Sequence, residues 1–134
     1  MTLAELNGHL DMLTQLQEAK ESLSNMQARI LGASQYDGMP HAHEAARRTE
    51  NLSIILEGQL ETVNRLEHIV KKSEAPVREW IETIDDNRTK LIFSLRFLAG
   101  MKWESVAYYI GGRNTTESVK MACYRYLEST DDIE

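Results

Sequence analysis

Residues 103–127 have the sequence WESVAYYIGGRNTTESVKMACYRYL, and this stretch decides how the C-terminal half of the chain folds. A short amphipathic run, a Gly-Gly break and a second amphipathic run predict two helices joined by a turn. The first run places Val106, Ala107 and Ile110 on one face, and Gly111 suits a turn with positive φ. The small side chain of Ala107 would allow the two helices to approach closely.

The second predicted helix has its own start signal and its own apolar face. Asn114 is the predicted N-cap, and Glu117 three residues later completes a capping-box arrangement. The predicted inward face follows helical spacing and consists of Val119, Ala122, Cys123, Tyr126 and Leu127. Such a helix pair is typical of a DNA-binding helix-turn-helix and equally of two core helices in a small bundle, so the pattern alone leaves both interpretations open.

The outward face of the second helix supplies the candidate DNA contacts. Polar side chains near the start of such a helix are what a major-groove helix presents to base edges. The candidates for reading bases are Glu117, Ser118, Lys120, Met121 and Tyr124. Phosphates would pass near the helix N-terminus, which favours anions. The candidates for phosphate contacts are Lys102, Arg113, Asn114, Thr115 and Arg125.

The charge of the chain is unevenly distributed. The net charge is -6, but residues 87–127 hold seven basic and two acidic residues and carry a net charge of +5. Residues 1–86 carry -7 and residues 128–134 carry -4. The predicted helix pair therefore lies in a basic segment between acidic ones, which favours double-stranded DNA as a partner and would oppose nonspecific binding elsewhere.

Long uninterrupted helical patterns precede this segment. Leucines spaced by three and four residues predict a helix over residues 2–31, and a similar pattern predicts another over about 42–72, with the turn sequence GASQYDGMPH between them. We therefore expect an all-α protein. Its predicted parts are a long, coiled-coil-like antiparallel hairpin at residues 1–72, a helix-turn-helix bundle at residues 73–128 and an acidic tail at residues 129–134.

The second long helix has an apolar face wider than a dimer seam requires. Its predicted oligomerisation residues are Leu52, Leu56, Val63, Leu66 and Val70. A hairpin alone would leave one side of its apolar surface in water. We therefore expect a homo-oligomer, either a dimer or a tetramer.

Two further helices are predicted between the hairpin and the helix pair. Ser73 is the predicted N-cap of a short linking helix, with Pro76 in its first turn. The pair Asp85-Asp86 offers an N-cap for the next helix, which ends before Gly100. The predicted inward residues of that helix are Leu91, Leu95 and Leu98.

The residue pattern argues against an enzyme, a cofactor and a metal site. Cys123 is the only cysteine and lies on a predicted inward face, and the chain has no Gly-rich phosphate loop of the GxxxxGK type. His41, His43 and Glu44 could begin a zinc site but lack a fourth ligand, so a polar loop and helix start is the favoured interpretation. With neither a signal peptide nor a membrane span in the pattern, we expect a cytoplasmic protein without a membrane partner.

Residues 77–127 resemble the helix-turn-helix of sigma-factor region four. They resemble more closely a family of small phage and prophage proteins from Gram-positive bacteria, relatives of the regulators ArpU and RinA, in which such a module follows a helical hairpin. The resemblance is carried by Met39-Pro40 and by Arg88, Leu91, Leu95, Arg96, Phe97, Gly100, Trp103, Ala107, Ile110 and Gly111. It implies a DNA-binding transcriptional regulator of phage genes that reads the major groove with residues 114–127, and it adds RNA polymerase as a candidate partner.

One feature departs from the sigma-like pattern. There the apolar anchor of the recognition helix follows the turn glycine by about six residues, whereas Val119 follows Gly111 by eight, so the turn is longer by about two residues. By the resemblance, Glu117 falls near a position that can accept from cytosine N4, and Lys120 and Met121 fall near base-contacting positions.

Two other functions stay open at this point. Small terminase proteins also couple a helix-turn-helix to helical oligomerisation, so a DNA-packaging subunit is one alternative, and a ring of eight or more copies would favour it. A protein-only helical adaptor is the other. Salt-dependent DNA binding would separate both DNA-binding functions from the adaptor.

Overall fold

The computed structural model describes residues 1–34 and 42–133, except for the side chains of residues 33, 34, 42, 43 and 131–133. All regular structure in this part of the chain is helical, which confirms the all-α prediction. The elements are α1 (Leu3–Ser34), α2 (Ala42–Glu82), α3 (Asn87–Phe93), a π segment (Ser94–Leu98), α4 (Trp103–Ile110) and α5 (Thr116–Ile133). None of these helices has a stretch long and apolar enough to span a membrane.

Helix α2 is continuous from Ala42 to Glu82, so the predicted break before Ser73 is wrong. The Ser73 hydroxyl donates to the carbonyl of Val70 at 3.1 Å, inside the helix, instead of capping a new one. Pro76 lacks the amide that would continue the hydrogen-bond ladder, and an interior proline normally destabilises a helix. Here the helical apolar spacing continues past it, and burial of Val77 and Ile81 offsets that loss.

Two helix ends also differ from the prediction. Helix α1 extends to Ser34, so Gly32 lies inside it and does not cap it. Helix α5 extends to Ile133, so the backbone of residues 129–133 of the predicted acidic tail is helical. The first three residues of the predicted loop, 32–34, thus belong to α1, and the rest of it, residues 35–41 with Met39-Pro40 and His41, lies outside the described residues.

The chain divides into two compact units, and their limits differ from the predicted boundaries at residues 72 and 128. The composite unit contains Met1–Thr14 and Ile69–Glu134, and the paired-helix unit contains Gln15–His68. The first 14 residues therefore belong with the C-terminal segment. Each long helix contributes to both units.

The composite unit has an extensive core. Its buried apolar side chains come from α1 to α5 and are Leu6, Val77, Ile81, Ile84, Ile92, Phe93, Phe97, Val106, Ala107, Val119, Cys123 and Leu127. Phe93 is at the centre of the aromatic packing, with ring centroids 5.1 Å from Trp80 and 5.6 Å from Tyr126 in edge-on arrangements. Edge-on aromatic pairs are favourable beyond the area that they bury.

The inward residues of α3 and the π segment differ from those predicted. Leu91 is 43% exposed, while Ile92, Phe93 and Phe97 are buried. Leu95 and Leu98 only border the core. The predicted cap at the start of α3 is confirmed, because the Asp86 carboxylate accepts from the Thr89 amide at 3.0 Å and from its hydroxyl at 2.6 Å. These hydrogen bonds lower the pKa of Asp86.

The paired-helix unit has a much smaller core. Its buried side chains are Leu16, Ala19, Val63 and Leu66. Two polar contacts join α1 to α2 here: the Gln59 amide donates to the Ala19 carbonyl at 3.1 Å, and Lys20 pairs with Glu67 at 3.3 Å. The antiparallel hairpin extends over both units and stays a prediction.

Candidate nucleic-acid interface

Two glycines shape the connection between α4 and α5. Gly111 has φ 73° and Gly112 has φ 65°, a region that side chains with a Cβ rarely adopt. The Gly111 amide donates to the Ala107 carbonyl at 3.0 Å and closes the end of α4. The positive φ predicted for Gly111 is confirmed.

The N-cap of α5 is Thr115, so the predicted Asn114–Glu117 capping box is wrong. The Ser118 amide donates to Thr115 Oγ1 at 3.1 Å, and the Thr115 amide donates to Ser118 Oγ at 2.8 Å. This reciprocal pair satisfies two amides that the helix start would otherwise leave unpaired. As a result, Glu117 is not held in the cap and its side chain is exposed.

Asn114 fixes the longer turn in place. Its Nδ2 donates to the Gly111 carbonyl at 2.7 Å, and its Oδ1 accepts from Arg88 Nε at 3.2 Å and from Arg88 Nη2 at 2.5 Å. The extra residues of the turn are thus attached to the start of α3. Because both ends of the Asn114 amide are engaged, it is less available to a phosphate than we expected.

Arg88 is the site residue that sequence reasoning missed. It stood in the family-like pattern without a role at the interface, and no signal in the sequence connects position 88 with position 114. In the structure Arg88 borders a shallow depression along the first turns of α5. The other side chains that line this depression are Thr115, Glu117, Ser118, Met121, Ala122 and Arg125.

The predicted base-reading residues differ in their accessibility. Met121 is 45% exposed and Glu117 is exposed, whereas Lys120 and Ser118 are half-buried. Tyr124 is also half-buried, and its ring lies edge-on to Trp103 with centroids 6.3 Å apart. Tyr124 therefore packs against the core more than we expected, and Ser118 is engaged in the helix cap.

Two of the seven basic side chains in residues 87–127, Arg96 and Lys90, are engaged in contacts within the chain. Arg96 lies 4.7 Å from the centre of the Trp103 ring, and its Nη1 donates to the Met101 carbonyl at 2.8 Å. Burial lowers the pKa of Arg96, while nearby Tyr124 and Cys123 raise it. Lys90 pairs with Glu82 at 2.9 Å. The Trp103 ring thus packs against Arg96.

The other five basic side chains of the segment have no ion pair within the described residues. Four of them are exposed and Lys120 is half-buried. They are Arg88, Lys102, Arg113, Lys120 and Arg125. Lys102 and Arg113 lie next to the starts of α4 and α5, where the helix dipole favours anions.

An aromatic pair lies on the exposed side of α4. Tyr108 is 81% exposed and Tyr109 is 64% exposed, with ring centroids 5.8 Å apart. Both tyrosines therefore lie on the surface of α4. Their rings are available to a partner.

The predicted oligomerisation residues lie mostly inside the fold. Val63, Leu66 and Val70 are buried, and Leu52 and Leu56 are half-buried. The three buried side chains are therefore not available to a second copy of the chain. Packing within the chain takes up the apolar surface that we expected to face a partner.

Cys123 belongs to the core of the composite unit. Cys123 is fully buried, which confirms its predicted place in the core, and burial raises the pKa of its thiol to about 12. Within the described residues no group of three or more His, Cys, Asp and Glu side chains is arranged to hold a metal ion. The predicted polar loop around His41 and His43 lies outside the side chains that the structure describes.

No protein-family model, curated protein or solved structure matches this chain. The resemblance to sigma-factor region four and to the phage regulators therefore stays a prediction. What can be argued about function comes from the geometry of the site.

Proposed function

We propose that this chain is a sequence-specific, double-stranded-DNA-binding regulator of phage or prophage transcription that acts as a homo-oligomer. One observation carries the proposal: the outer face of α5, with Glu117 and Met121 exposed, lies among five basic side chains that have no ion pair within the described residues. The inner face of the same helix is locked into the core through Val119, Cys123 and Leu127. A rigid helix with a free, basic-flanked face is what entry into a major groove requires.

Phosphate contacts supply the affinity in this proposal. Arg88 and Arg125 flank the depression along α5, and Lys102 and Arg113 lie beside the starts of α4 and α5. Each phosphate that a lysine or arginine neutralises releases counterions, so binding weakens as the salt concentration rises. The acidic remainder of the chain opposes nonspecific association.

Base contacts supply the specificity. The exposed Glu117 carboxylate can accept from cytosine N4, and the Met121 side chain can contact a thymine methyl group. Lys120 can donate to guanine O6 and N7. One such helix makes few contacts, so two copies reading half-sites about 34 Å apart would provide the discrimination that a regulator needs.

RNA polymerase is a further candidate partner in this proposal. Tyr108 and Tyr109 offer exposed aromatic surface on α4. Tyrosine is enriched at protein interfaces because its ring buries a large area while its hydroxyl stays hydrated.

Selection from random duplexes, followed by fluorescence anisotropy on the enriched sequence, tests the proposal. The expected result is one recurrent motif whose binding falls steeply with salt concentration. R113A/K120A removes one candidate phosphate contact and one candidate base contact, so it should weaken binding at least about tenfold and reduce the salt slope by about one per bound copy. The matched control is K71A/K72A, which removes the same charge from exposed positions of α2.

The control should bind nearly as the natural protein does. Equal loss in both variants would reveal general attraction to a polyanion, and the assigned face would be wrong. Failure to enrich any motif, together with salt-independent behaviour, would favour the protein-only adaptor. Specific binding by a ring of eight or more copies would favour the packaging subunit.

A further inference from the structure

One face of α2 has no partner within the described residues. Ile54 is 62% exposed and Ile55 is 57% exposed, midway between two groups of charged side chains. We call residues 44–65 on this side the outer face of α2. Its members are Glu44, Arg47, Arg48, Asn51, Ile54, Ile55, Gly58, Glu61, Thr62 and Arg65, of which Thr62 is half-buried and the others are exposed.

The outer face follows the seven-residue spacing of paired helices. Its central line is Glu44, Asn51, Gly58 and Arg65, each seven residues from the next. The two flanking lines are Arg48, Ile55 and Thr62 on one side, and Arg47, Ile54 and Glu61 on the other. This stripe does not include the buried Val63 and Leu66, so the helix has a second apolar contact surface.

We propose that two copies of the chain pair through the outer face of α2, antiparallel, about a two-fold axis that passes between Ile54 and Ile55. In this register Ile54 of one copy opposes Ile55 of the other. The central lines of the two copies then face each other. The flanking line with Ile55 in one copy faces the flanking line with Ile54 in the other. A two-fold interface must be self-complementary in this way, because the same patch serves both subunits.

The charges of the outer face agree with this register. Arg48 of one copy opposes Glu61 of the other, and Glu44 opposes Arg65. Each contact occurs twice in the pair, and no like charges are opposed. Within the described residues none of these four side chains has an ion partner in its own chain. A parallel pair in register would instead place Arg48 against Arg48 and Glu61 against Glu61.

Gly58 supports a close approach at this face. A glycine inside a helix is unfavourable compared with alanine, and at this position nothing beyond the local backbone of α2 lies within 4 Å of the place that a Cβ would occupy. The described part of a single chain therefore gives no packing reason for the glycine. In the antiparallel register the space over Gly58 receives the exposed Asn51 side chain of the second copy.

This pairing deepens the self-association in the proposed function and rests on it, but it does not depend on DNA binding. It replaces the predicted oligomerisation residues by a different side of the same helix. The surface lies wholly within the paired-helix unit. An experiment without DNA can therefore test it separately.

Charge reversal tests the register by sedimentation equilibrium of the full chain, up to about 100 µM, where an association of moderate strength is detectable. R48E and E61R should each weaken dimerisation about tenfold, because each variant opposes like charges at two places. An equimolar mixture of the two variants should regain association close to that of the natural protein. The antiparallel register predicts both the weakening in each variant and the rescue in the mixture. A parallel pair in register opposes like charges at both positions in the natural protein and in each single variant, so the single substitutions would not weaken it. Absence of either the weakening or the rescue would overturn the proposal.

Gly58→Gln tests the close approach. Glutamine is the better helix former and meets open space in the single chain, so circular dichroism should show an intact fold. Dimerisation should nevertheless weaken at least about tenfold, because the side chain occupies the space of the partner's Asn51. The control K71E changes an exposed charge outside the outer face and should leave association unchanged.

Three further outcomes would overturn the proposal. They are a strict monomer at the highest concentration, undiminished association in an I54E/I55E variant, and a stable complex larger than a dimer that persists in that variant. Loss of DNA binding with the dimer retained would instead contradict only the DNA-binding function. The two proposals therefore fail separately.

Discussion

The composite unit and the paired-helix unit use their apolar residues differently. The composite unit encloses Phe93, Phe97 and Trp80 with contributions from every helix, and Phe93 and Phe97 are almost completely buried. The paired-helix unit buries only Leu16, Ala19, Val63 and Leu66 within the described residues, while Ile54 and Ile55 stay exposed. The first unit has a core of its own, and the second leaves apolar surface for another molecule.

The difference shows how function can be divided within an all-α chain. In the proposed function, the densely packed unit holds α5 in a fixed orientation, which base recognition requires. A sparsely packed helix pair can hold apolar residues on its surface, where they can contact a second copy. The comparison is tested by substitutions in the two units whose effects on unfolding free energy, thiol reactivity and the pH dependence of stability are measured.

The largest effect is expected from Phe93→Ala. This ring is fully buried and packs against Trp80, Phe97 and Tyr126, so its loss leaves a cavity that the other rings cannot fill. Urea unfolding should show a loss of about 3–5 kcal/mol. Leu66→Ala in the paired-helix unit should cost nearer 2 kcal/mol, because a sparse core can collapse around the gap. Equal losses of unfolding free energy in the two variants would contradict the difference in packing between the two cores.

Cys123 tests whether the composite core excludes solvent. With the pKa raised to about 12, only about one thiol in ten thousand is ionised near pH 8, against about one in ten at the ordinary value of 9.0. Ellman's reagent should react slowly with the native protein and rapidly in denaturant. A cysteine placed at Ile54 should react at once in the single chain. Rapid native reaction at Cys123 would show that the core opens readily.

Thr115→Ala tests the start of α5. The substitution removes the side-chain acceptor for the Ser118 amide and should cost about 1 kcal/mol in urea unfolding. Thr49 is the matched control in the paired-helix unit, because its hydroxyl only donates to the Ala45 carbonyl within the helix. Thr49→Ala should change stability by less than about 0.5 kcal/mol. Similar small effects at both positions would indicate that the cap contributes little.

The smallest effect is expected from His9. Its Nδ1 lies 2.5 Å from Ser73 Oγ, its Nε2 is buried without a partner, and burial lowers its pKa below 6.5 although Glu74 raises it. The unfolded chain therefore binds the proton more readily than the folded chain. The contribution of His9 to the free energy of unfolding is fully present above pH 6.5. It is lost as the pH drops through 6.5 towards the pKa of His9 in the folded chain.

His9→Gln isolates this contribution from the carboxylates that also titrate in acid. Thermal unfolding of both proteins should show that the natural chain loses more stability than the variant between neutral pH and about pH 5. A parallel pH dependence in the two proteins would contradict the role assigned to His9.

The all-α class could be predicted from the sequence, but the inward faces and the ends of several helices could not. Between residues 91 and 98 nearly every position is apolar, so spacing alone cannot decide which residues face inward. The π segment adds to the ambiguity by changing the number of residues per turn. At Ser73 and Pro76 the local break signals were outweighed by the burial of Val77 and Ile81, which only the tertiary structure supplies.

The candidate site was predictable in position but not in detail. The basic segment and the outward residues Glu117 and Met121 follow from charge and helical spacing. The cap at Thr115 did not, because Ser118 is a less familiar capping partner than Glu117. The Arg88–Asn114 contact joins residues that are 26 positions apart, and no local pattern encodes such a contact.

The π segment has a consequence for the history of the chain. The amide of Ala99 donates to the carbonyl of Ser94, five residues earlier, so this turn holds one residue more than an α-helical turn does. Deletion of one residue here would leave an ordinary α-helical turn, and the chain could still continue into α4. Elsewhere in these helices the same deletion would rotate the following side chains by about 100°. Natural variants that differ in length by one residue are therefore expected at Ser94–Leu98.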